Sequence, residues 1–439
     1  MYLAYSALLV LWLLISSPYW LIQMTRHGKY RAGLRERLGG VPDRLRSASA
    51  QPTIWVHAVS VGEVLAVSGL IAELQTRYPG HRIVVSTTTD TGQKLARKRF
   101  GEESVFYFPL DLPFAVRRYL SVLKPQLIIV AETEFWPNFF RIARQSGVRI
   151  AVVNARISDR SFPGYRRIAG WIKRVLENVD LFLTQTEQDR SRLLAIGALP
   201  DRVFVTGNLK FDVDPPPAPP VVAGLRRVFD GTPAGPILVC GSTVEGEEGL
   251  LMQAFQNILA SHPKTVMLLA PRHPERFPEV AKLLESLGTR FWRRSLWNGE
   301  PISGGVMLID TIGELAALYA LADIAFVGGS LVPRGGHNII EPAQYGVAIV
   351  VGNHTENFRD IVALFQSQNA VRIVGPAELP LVFLELISDP VERKNLGQRA
   401  LETLHSQRGA THRTLRALQA LLPPAEPVAA AHTGESASS

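Results

Sequence analysis

Cysteine is almost absent from this 439-residue chain. Cys240 is the single one, which rules out an intramolecular disulfide framework. Closing the run Ile237-Leu238-Val239, it reads as a small buried strand residue. No G-x-x-x-x-G-K-S/T and no G-x-G-x-x-G occurs, which excludes a P-loop and the standard dinucleotide fingerprint. His and Cys nowhere take zinc-ligand spacing, so neither a metal nor a cofactor is expected. Acidic groups are the scarcer charge: 39 Asp and Glu against 47 Lys and Arg, a net +8. With 46% hydrophobic and 20% charged residues the chain is globular, and its length suits two or three domains.

Charge is missing altogether from residues 1–25. Ala7 to Ile15 is uninterrupted apolar, and Tyr19-Trp20-Leu21-Ile22 resumes after Ser16-Ser17-Pro18. About 20 such residues suffice to cross a bilayer. Tyr2, Tyr5, Tyr19 and Trp20 lie near the two ends, as interfacial aromatics do. A cleaved signal peptide would carry its basic segment ahead of the apolar run. Here the basic residues follow it: seven Lys/Arg between Arg26 and Arg46 against Glu36 and Asp43. That cluster beside an apolar run points to a membrane surface rather than to nucleic acid. Residues 1–24 are therefore expected to be a retained anchor, and residues 25–50 a basic juxtamembrane segment. The positive-inside rule puts the rest in the cytoplasm, as a single-pass protein. Pro18 leaves a re-entrant or interfacial helix open as the alternative.

From residue 51 to 214, short apolar runs alternate with helical spacing. Thr53-Ile54-Trp55-Val56 is β-rich, and Val64, Val67, Leu70, Ile71 and Leu74 recur three or four apart. Similar runs at 81–87, 105–108, 127–131, 149–153 and 181–184 predict a parallel, doubly wound α/β sheet. Polar residues gather where these strands end: Glu63, Thr87 to Asp90, Glu132 and Glu134, Asn154 and Arg156, Gln185 and Glu187. Parallel topology brings those ends to one edge, where ligands bind. Glu63 falls in the first helical turn after His57-Ala58-Val59-Ser60-Val61-Gly62. A carboxylate there can take a proton from a bound hydroxyl, or can simply complement the helix dipole. At an ordinary pKa of about 4.3 it is expected to be ionised at neutral pH.

Pro215 to Pro220 forms a stiff linker, taken as 215–221, before a second α/β domain over 222–424. Asp212-Val213-Asp214 is a D-x-D, which some glycosyltransferases use to hold a metal on a nucleotide diphosphate. Abutting a proline run, it reads here as a solvated loop. In the second domain, strands end at Gly241-Ser242-Thr243, at Arg272-His273, at Thr311-Ile312-Gly313 and at Gly328-Gly329-Ser330. The segment Gly335-Gly336-His337-Asn338-Ile339-Ile340-Glu341 is the most specific signal. Its glycines let the backbone approach a ligand. Asn338 and Glu341 sit three apart at a helix start, where a Glu can accept two ribose hydroxyls and the helix N-terminus can hold a phosphate. Residues 425–439 read as a disordered tail.

Taken in order, the chain carries HAVSVGE (57–63), TTTDTG (87–92), FPLD (108–111), AETEFWPN (131–138), NARIS (154–158), TGNLKFD (206–212), APRHPERF (270–277), DTIGELAALY (310–319) and GGSLVPRGGHNIIEPAQYG (328–346). This series resembles the 3-deoxy-D-manno-oct-2-ulosonic acid (Kdo) transferases of lipopolysaccharide assembly, over roughly residues 1–405. The resemblance implies a GT-B fold, two Rossmann-like domains facing a cleft. It implies an inverting transfer of Kdo from CMP-Kdo to a lipid A precursor, on the cytoplasmic side of the inner membrane. Glu63 would be the general base, Arg272 with His273 would face the cytosine nucleotide, and Asn338 and Glu341 would hold its phosphate and ribose. Ser242, Gly313 and Gly336 complete the donor set. Arg156 and Lys210 are candidate cations for the Kdo carboxylate, and the residue 26–46 cluster for the lipid. One position departs from the pattern. Related chains often read G-S-T-H-E-G-E-E where this one has Val244, leaving Lys210 or His337 to replace that His. Two other readings stand beside this one. A nucleotide-sugar 2-epimerase uses the same fold but needs no lipid anchor. A non-catalytic, membrane-tethered binder of acidic ligands would suit the basic stretch alone.

Overall fold

The computed structural model describes residues 1–27, 32–46, 51–231 and 234–422. Lys29, Arg31, the side chain of Arg26 and the tail expected over 425–439 lie outside the described residues. Two compact units emerge: the first joins Met1–Val213 to the chain from Gly409 onward, and the second is Asp214–Arg408.

In the first unit, β1 (Thr53–His57), β2 (Arg82–Thr87), β3 (Val105–Tyr107), β4 (Pro125–Ala131), β5 (Arg149–Ala155), β6 (Leu181–Thr184) and β7 (Val203–Val205) form one sheet in the order β3-β2-β1-β4-β5-β6-β7. Every pairing is parallel. Helices cover both faces, so strand residues are apolar without alternation yet serve two cores by turns. Ile54 and Val56 enter one core and Trp55 the other. In β4, Leu127 and Ile129 go one way, and Ile128 and Val130 the other. Around Trp55 pack Phe106, Phe108, Tyr119 and Phe139, with ring centroids 4.9–6.1 Å away.

The second unit repeats the plan with β8 (Ile237–Thr243), β9 (Val266–Pro271), β10 (Phe291–Arg293), β11 (Gly305–Leu308), β12 (Ile324–Val327), β13 (Ala348–Gly352) and β14 (Arg372–Val374). Its order is β10-β11-β9-β8-β12-β13-β14, again all parallel. Cys240 is fully buried in β8.

The second domain does not run to residue 424 as expected. The helix Ala410–Leu418 returns to the first unit, burying Ala410, Leu415 and Leu418 in the core that holds Val64 and Leu70. Its start is capped by Asp212, which accepts from the N–H groups of Gly409 (2.7 Å) and Thr411 (2.5 Å). The first acid of the D-x-D is thus a helix cap rather than a solvated group. Asp214 lies 3.4 Å from Arg408. The proline linker is also shorter than predicted, since a helix begins at Pro220.

One helix among the described residues is long and apolar enough to cross a membrane, within Tyr2–His27. After it the chain folds onto the first unit. Glu36 accepts from the Tyr107 N–H at 2.7 Å and pairs with Arg44 at 3.0 Å, while Leu45 and Val41 enter the core. Arg37 donates to the Thr88 carbonyl and lies over the Tyr107 ring. Two arginines of the basic cluster therefore face inward instead of forming a continuous solvated strip.

Candidate active site

In each unit the strand order reverses beside the first strand, between β1 and β4 and between β8 and β12. Such switch points open a crevice at the carboxyl ends of the strands. Three of the non-glycine residues with positive φ lie at these ends: Glu132 (57°), Asn154 (54°) and Ser242 (57°). Backbone strain of this kind gathers at functional sites, where the surroundings hold it in place.

Ser60 caps the helix Val61–Arg77, and Glu63 is its third residue. The Glu63 carboxylate reaches back, accepting from the Val59 N–H at 2.7 Å and from the Ser60 hydroxyl at 3.0 Å. These two bonds fix the side chain at the helix start. Glu63 is 8% exposed. Burial, then the charge of Glu132 across the switch point, raises its pKa to about 7, although the bonds from Val59 and Ser60 oppose the rise. The expectation of an ordinary, fully ionised carboxylate is corrected on that point. Glu63 is half protonated near neutrality because its charge is both desolvated and crowded by like charges.

Glu132 bonds Lys210 at 3.1 Å, which brings a strand-end acid and a predicted cation together. Glu134 is pushed up to about 6 by burial and by Glu132. Arg156 is tied to this corner through its backbone: its N–H donates to the Thr133 hydroxyl at 2.9 Å, and that hydroxyl donates to its carbonyl. Asn154 is fully buried and accepts from the Leu209 N–H at 3.0 Å, anchoring the turn that presents Lys210. His57, four residues before β1's helix begins, is no candidate base. It is wholly buried, stacked on Phe108 with centroids 3.9 Å apart, and burial drops its pKa to about 3.

In the second unit, Ser242 occupies the turn after β8. Gly328 must be glycine there, because a Cβ would lie 2.6 Å from the Ser242 carbonyl. Glu247 holds this turn to the one after β12. One of its oxygens accepts from Val244 N (3.0 Å) and Gly329 N (2.7 Å), the other from Ser330 N and Leu331 N (2.9 Å each). The neighbouring Glu248 accepts from Thr243 Oγ1 at 3.1 Å and pairs with Arg276 at 3.0 Å, fixing the loop that carries Arg272 and His273. Neither acid was singled out from the sequence. Two consecutive acids in the first turn of a predicted helix were the available signal, and it also fits ordinary dipole complementation.

Arg272 is exposed and has no side-chain partner among the described residues. Its charge is felt by two predicted ligands, His337 and Glu341. Burial, helped by Arg272 and His273, lowers His337 to about 4, so its imidazole is neutral. Its Nε2 is buried without a partner. Burial raises the pKa of Glu341, and the bond from Asn338 Nδ2 at 3.3 Å and the charge of Arg272 oppose it. Gly336 approaches a backbone closely, for a Cβ would lie 3.0 Å from the His354 carbonyl. The predicted phosphate-holding helix at Asn338 is only one turn, Ile340–Ala343, too short to carry a useful dipole. Gly313 adopts φ 90° in an open loop after β11. Val244 is buried and apolar, so that position offers a ligand no polar group. Among the described residues no three His, Cys, Asp or Glu side chains group as a metal site would need.

A family model described as 3-deoxy-D-manno-octulosonic-acid transferase (kdotransferase) matches residues 32–213. The chain is 35% identical over 405 residues to the 3-deoxy-D-manno-octulosonic acid transferase of Haemophilus influenzae, covering 90% of this chain and 92% of that one. With the protein of the same name from Bordetella pertussis it shares 36% identity over 407 residues, 89% and 92% of the two chains. Its fold is similar to that of a putative UDP-N-acetylglucosamine 2-epimerase from Listeria monocytogenes, at TM-score 0.58 and 16% identity, over 84% of this chain and 95% of that one. At that identity the likeness concerns the fold alone, a GT-B-type pair of Rossmann-like units.

Proposed function

Because the chain belongs to the Kdo transferase family, the glycosyltransferases that move Kdo in lipopolysaccharide biosynthesis, we propose that Glu63 is the general base of this transfer. The donor is CMP-Kdo and the acceptor a lipid A precursor with a free primary hydroxyl. Glu63 takes the hydroxyl proton as that oxygen attacks the anomeric C2 of Kdo. CMP departs from the opposite face, so the configuration inverts. One observation carries the reading: a buried carboxylate, oriented by two donors at a switch point, with a pKa of about 7. A base matched to the working pH transfers protons most effectively.

Lys210, which pairs with Glu132, meets the Kdo carboxylate in this reading, with Arg156 at the same corner. On the second unit, Arg272 offers its unpaired guanidinium to the donor phosphate, where negative charge grows as CMP leaves. Asn338 and Glu341 take the ribose. His337, a neutral imidazole with an unpartnered Nε2, stands in for the histidine that Val244 replaces. Because CMP has a single phosphate, these side chains meet its charge without a divalent ion.

The enzyme works at the cytoplasmic face of the inner membrane, held there by residues 1–24 and by basic residues within 26–46. Anchoring keeps it on the surface where its acceptor lies. The test is incubation of the full chain with CMP-Kdo and a tetra-acylated lipid A precursor, with products counted by mass. Acceptor-dependent gain of Kdo is expected, together with its loss in Glu63→Ala. Donor turnover that needs no lipid would favour the epimerase chemistry instead.

A further inference from the structure

The helix Tyr2–His27 reads from composition as a bilayer span, but its start is tied to the first unit, and the described chain resumes on that same unit after it. At its start, the Tyr2 hydroxyl donates to the Arg174 carbonyl at 3.0 Å and accepts from Asn178 Nδ2 at 3.2 Å. The Arg141 guanidinium sits over the Tyr2 ring, 4.8 Å from its centre. Tyr5 packs against Trp171 with centroids 6.0 Å apart and hydrogen-bonds the Asp111 carboxylate. Ser6 accepts from Asn138 Nδ2 at 3.0 Å. Asp111 also accepts from the N–H groups of Asn138 and Phe139, so one buried acid joins this helix to the first turn of Pro137–Gln145. Beyond the other end, Glu36, Arg37 and Leu45 are bonded or buried in that same unit.

A spanning helix separates its ends by the hydrocarbon core, about 30 Å. If residues 2–6 rest on the first unit, a span would leave His27 on the far side. Only residues 28–31 lie between His27 and Ala32, and a chain that short reaches at most roughly 18 Å, however it is arranged. It cannot recross the bilayer.

We propose that this helix lies in the plane of the membrane surface, as a monotopic anchor on an anionic phospholipid bilayer, and does not span it. The exposure pattern agrees. Leu3, Leu8, Leu14 and Ile15 are 65–87% exposed, whereas Tyr5, Leu9, Leu13 and Trp20, four to seven residues apart, are partly covered. The protein partly covers one flank of the helix, the side that an in-plane helix turns away from the acyl chains. Past the helix, Leu34, Leu38 and Phe114 are also exposed, beside a 710 Å³ pocket lined by Arg35, Arg46 and Arg118. Apolar groups next to these cations match the acyl boundary and phosphates of a lipid surface.

The test uses the full chain in inside-out inner-membrane vesicles. Cys240 is fully buried and stays out of the reaction. Tyr2→Cys with Asn178→Cys should be joined by a short bis-maleimide in the vesicles as in detergent, with transfer activity kept. A spanning helix would put those positions on opposite sides, so crosslinking in detergent alone overturns the proposal, as does a crosslink that abolishes activity. Leu3→Cys, at a highly exposed position, gives a second readout: in intact spheroplasts an impermeant maleimide should leave it unmodified, and labelling there refutes the in-plane arrangement. Arg35→Glu with Arg118→Glu should reduce flotation with phosphatidylglycerol vesicles, and unchanged flotation removes the anionic surface from the proposal. These outcomes concern the helix alone and are separate from whether Glu63 is the base.

Discussion

The rate of transfer should rise with pH along a limb that belongs to Glu63. A carboxylate at the ordinary value of 4.5 would be fully ionised well below neutrality, whereas Glu63 is raised to about 7, first by burial and then by Glu132. Only about a tenth of the molecules carry an ionised base at pH 6, against about nine-tenths at pH 8, so kcat/KM should climb roughly tenfold between them. Glu63→Gln should lower the rate by about 10²–10⁴-fold and abolish the limb. Glu132→Gln removes the like charge, so the limb should move to lower pH. Stability runs the other way. Because the folded pKa lies above the unfolded one, the neutral carboxyl supports the fold below about pH 4.5, and that support is lost as pH rises through about 7. The loss is on the order of 3 kcal/mol. Glu63→Gln stays neutral, so its Tm relative to wild type should be higher at pH 8 than at pH 5. Initial rates from CMP-Kdo and lipid acceptor across pH, with melts in the same buffers, test both halves. A wild-type limb near the ordinary carboxylate value, or one that Glu132→Gln leaves in place, would refute the reasoning.

Three further substitutions test the rest of the site. Lys210→Met leaves Glu132 without its partner at 3.1 Å, so the Glu63 limb should move to higher pH, the opposite of Glu132→Gln; a limb that stays put in a pH–rate profile counts against the coupling. Glu247→Leu leaves four buried N–H groups with no acceptor, at a cost of about 3–5 kcal/mol, and should lower both the Tm and CMP affinity measured by calorimetry. Glu341→Ala should weaken CMP binding roughly 10–100-fold if it holds the ribose, and unchanged binding removes it from the donor site.

How far the site could be read in advance depended on how local each signal was. Glu63 stands out because a strand, a tight turn and a helix fall within some two dozen residues, and that pattern puts its carboxylate at a strand end. The same holds for Glu132, Asn154 and Ser242, whose left-handed backbones sit where an apolar run meets a polar one. Glu247 was not legible. Its partners are Gly329, Ser330 and Leu331, about eighty residues away, and nothing near Glu247 in the chain announces them. Asp212 was misjudged for a similar reason: the N–H groups it caps lie nearly two hundred residues downstream.

Periodicity and strand-end chemistry, both properties of neighbouring residues, determined the α/β class and the candidate base from the sequence by itself. Only the tertiary structure decided the charge state of that base, because a pKa depends on what burial and distant carboxylates do to one group. It also decided that the last described helix belongs to the first unit, and that the start of the apolar N-terminal helix rests on that unit too. Hydrophobic spacing says that a segment will be buried, but not against which partner, since that contact joins residues the chain keeps far apart.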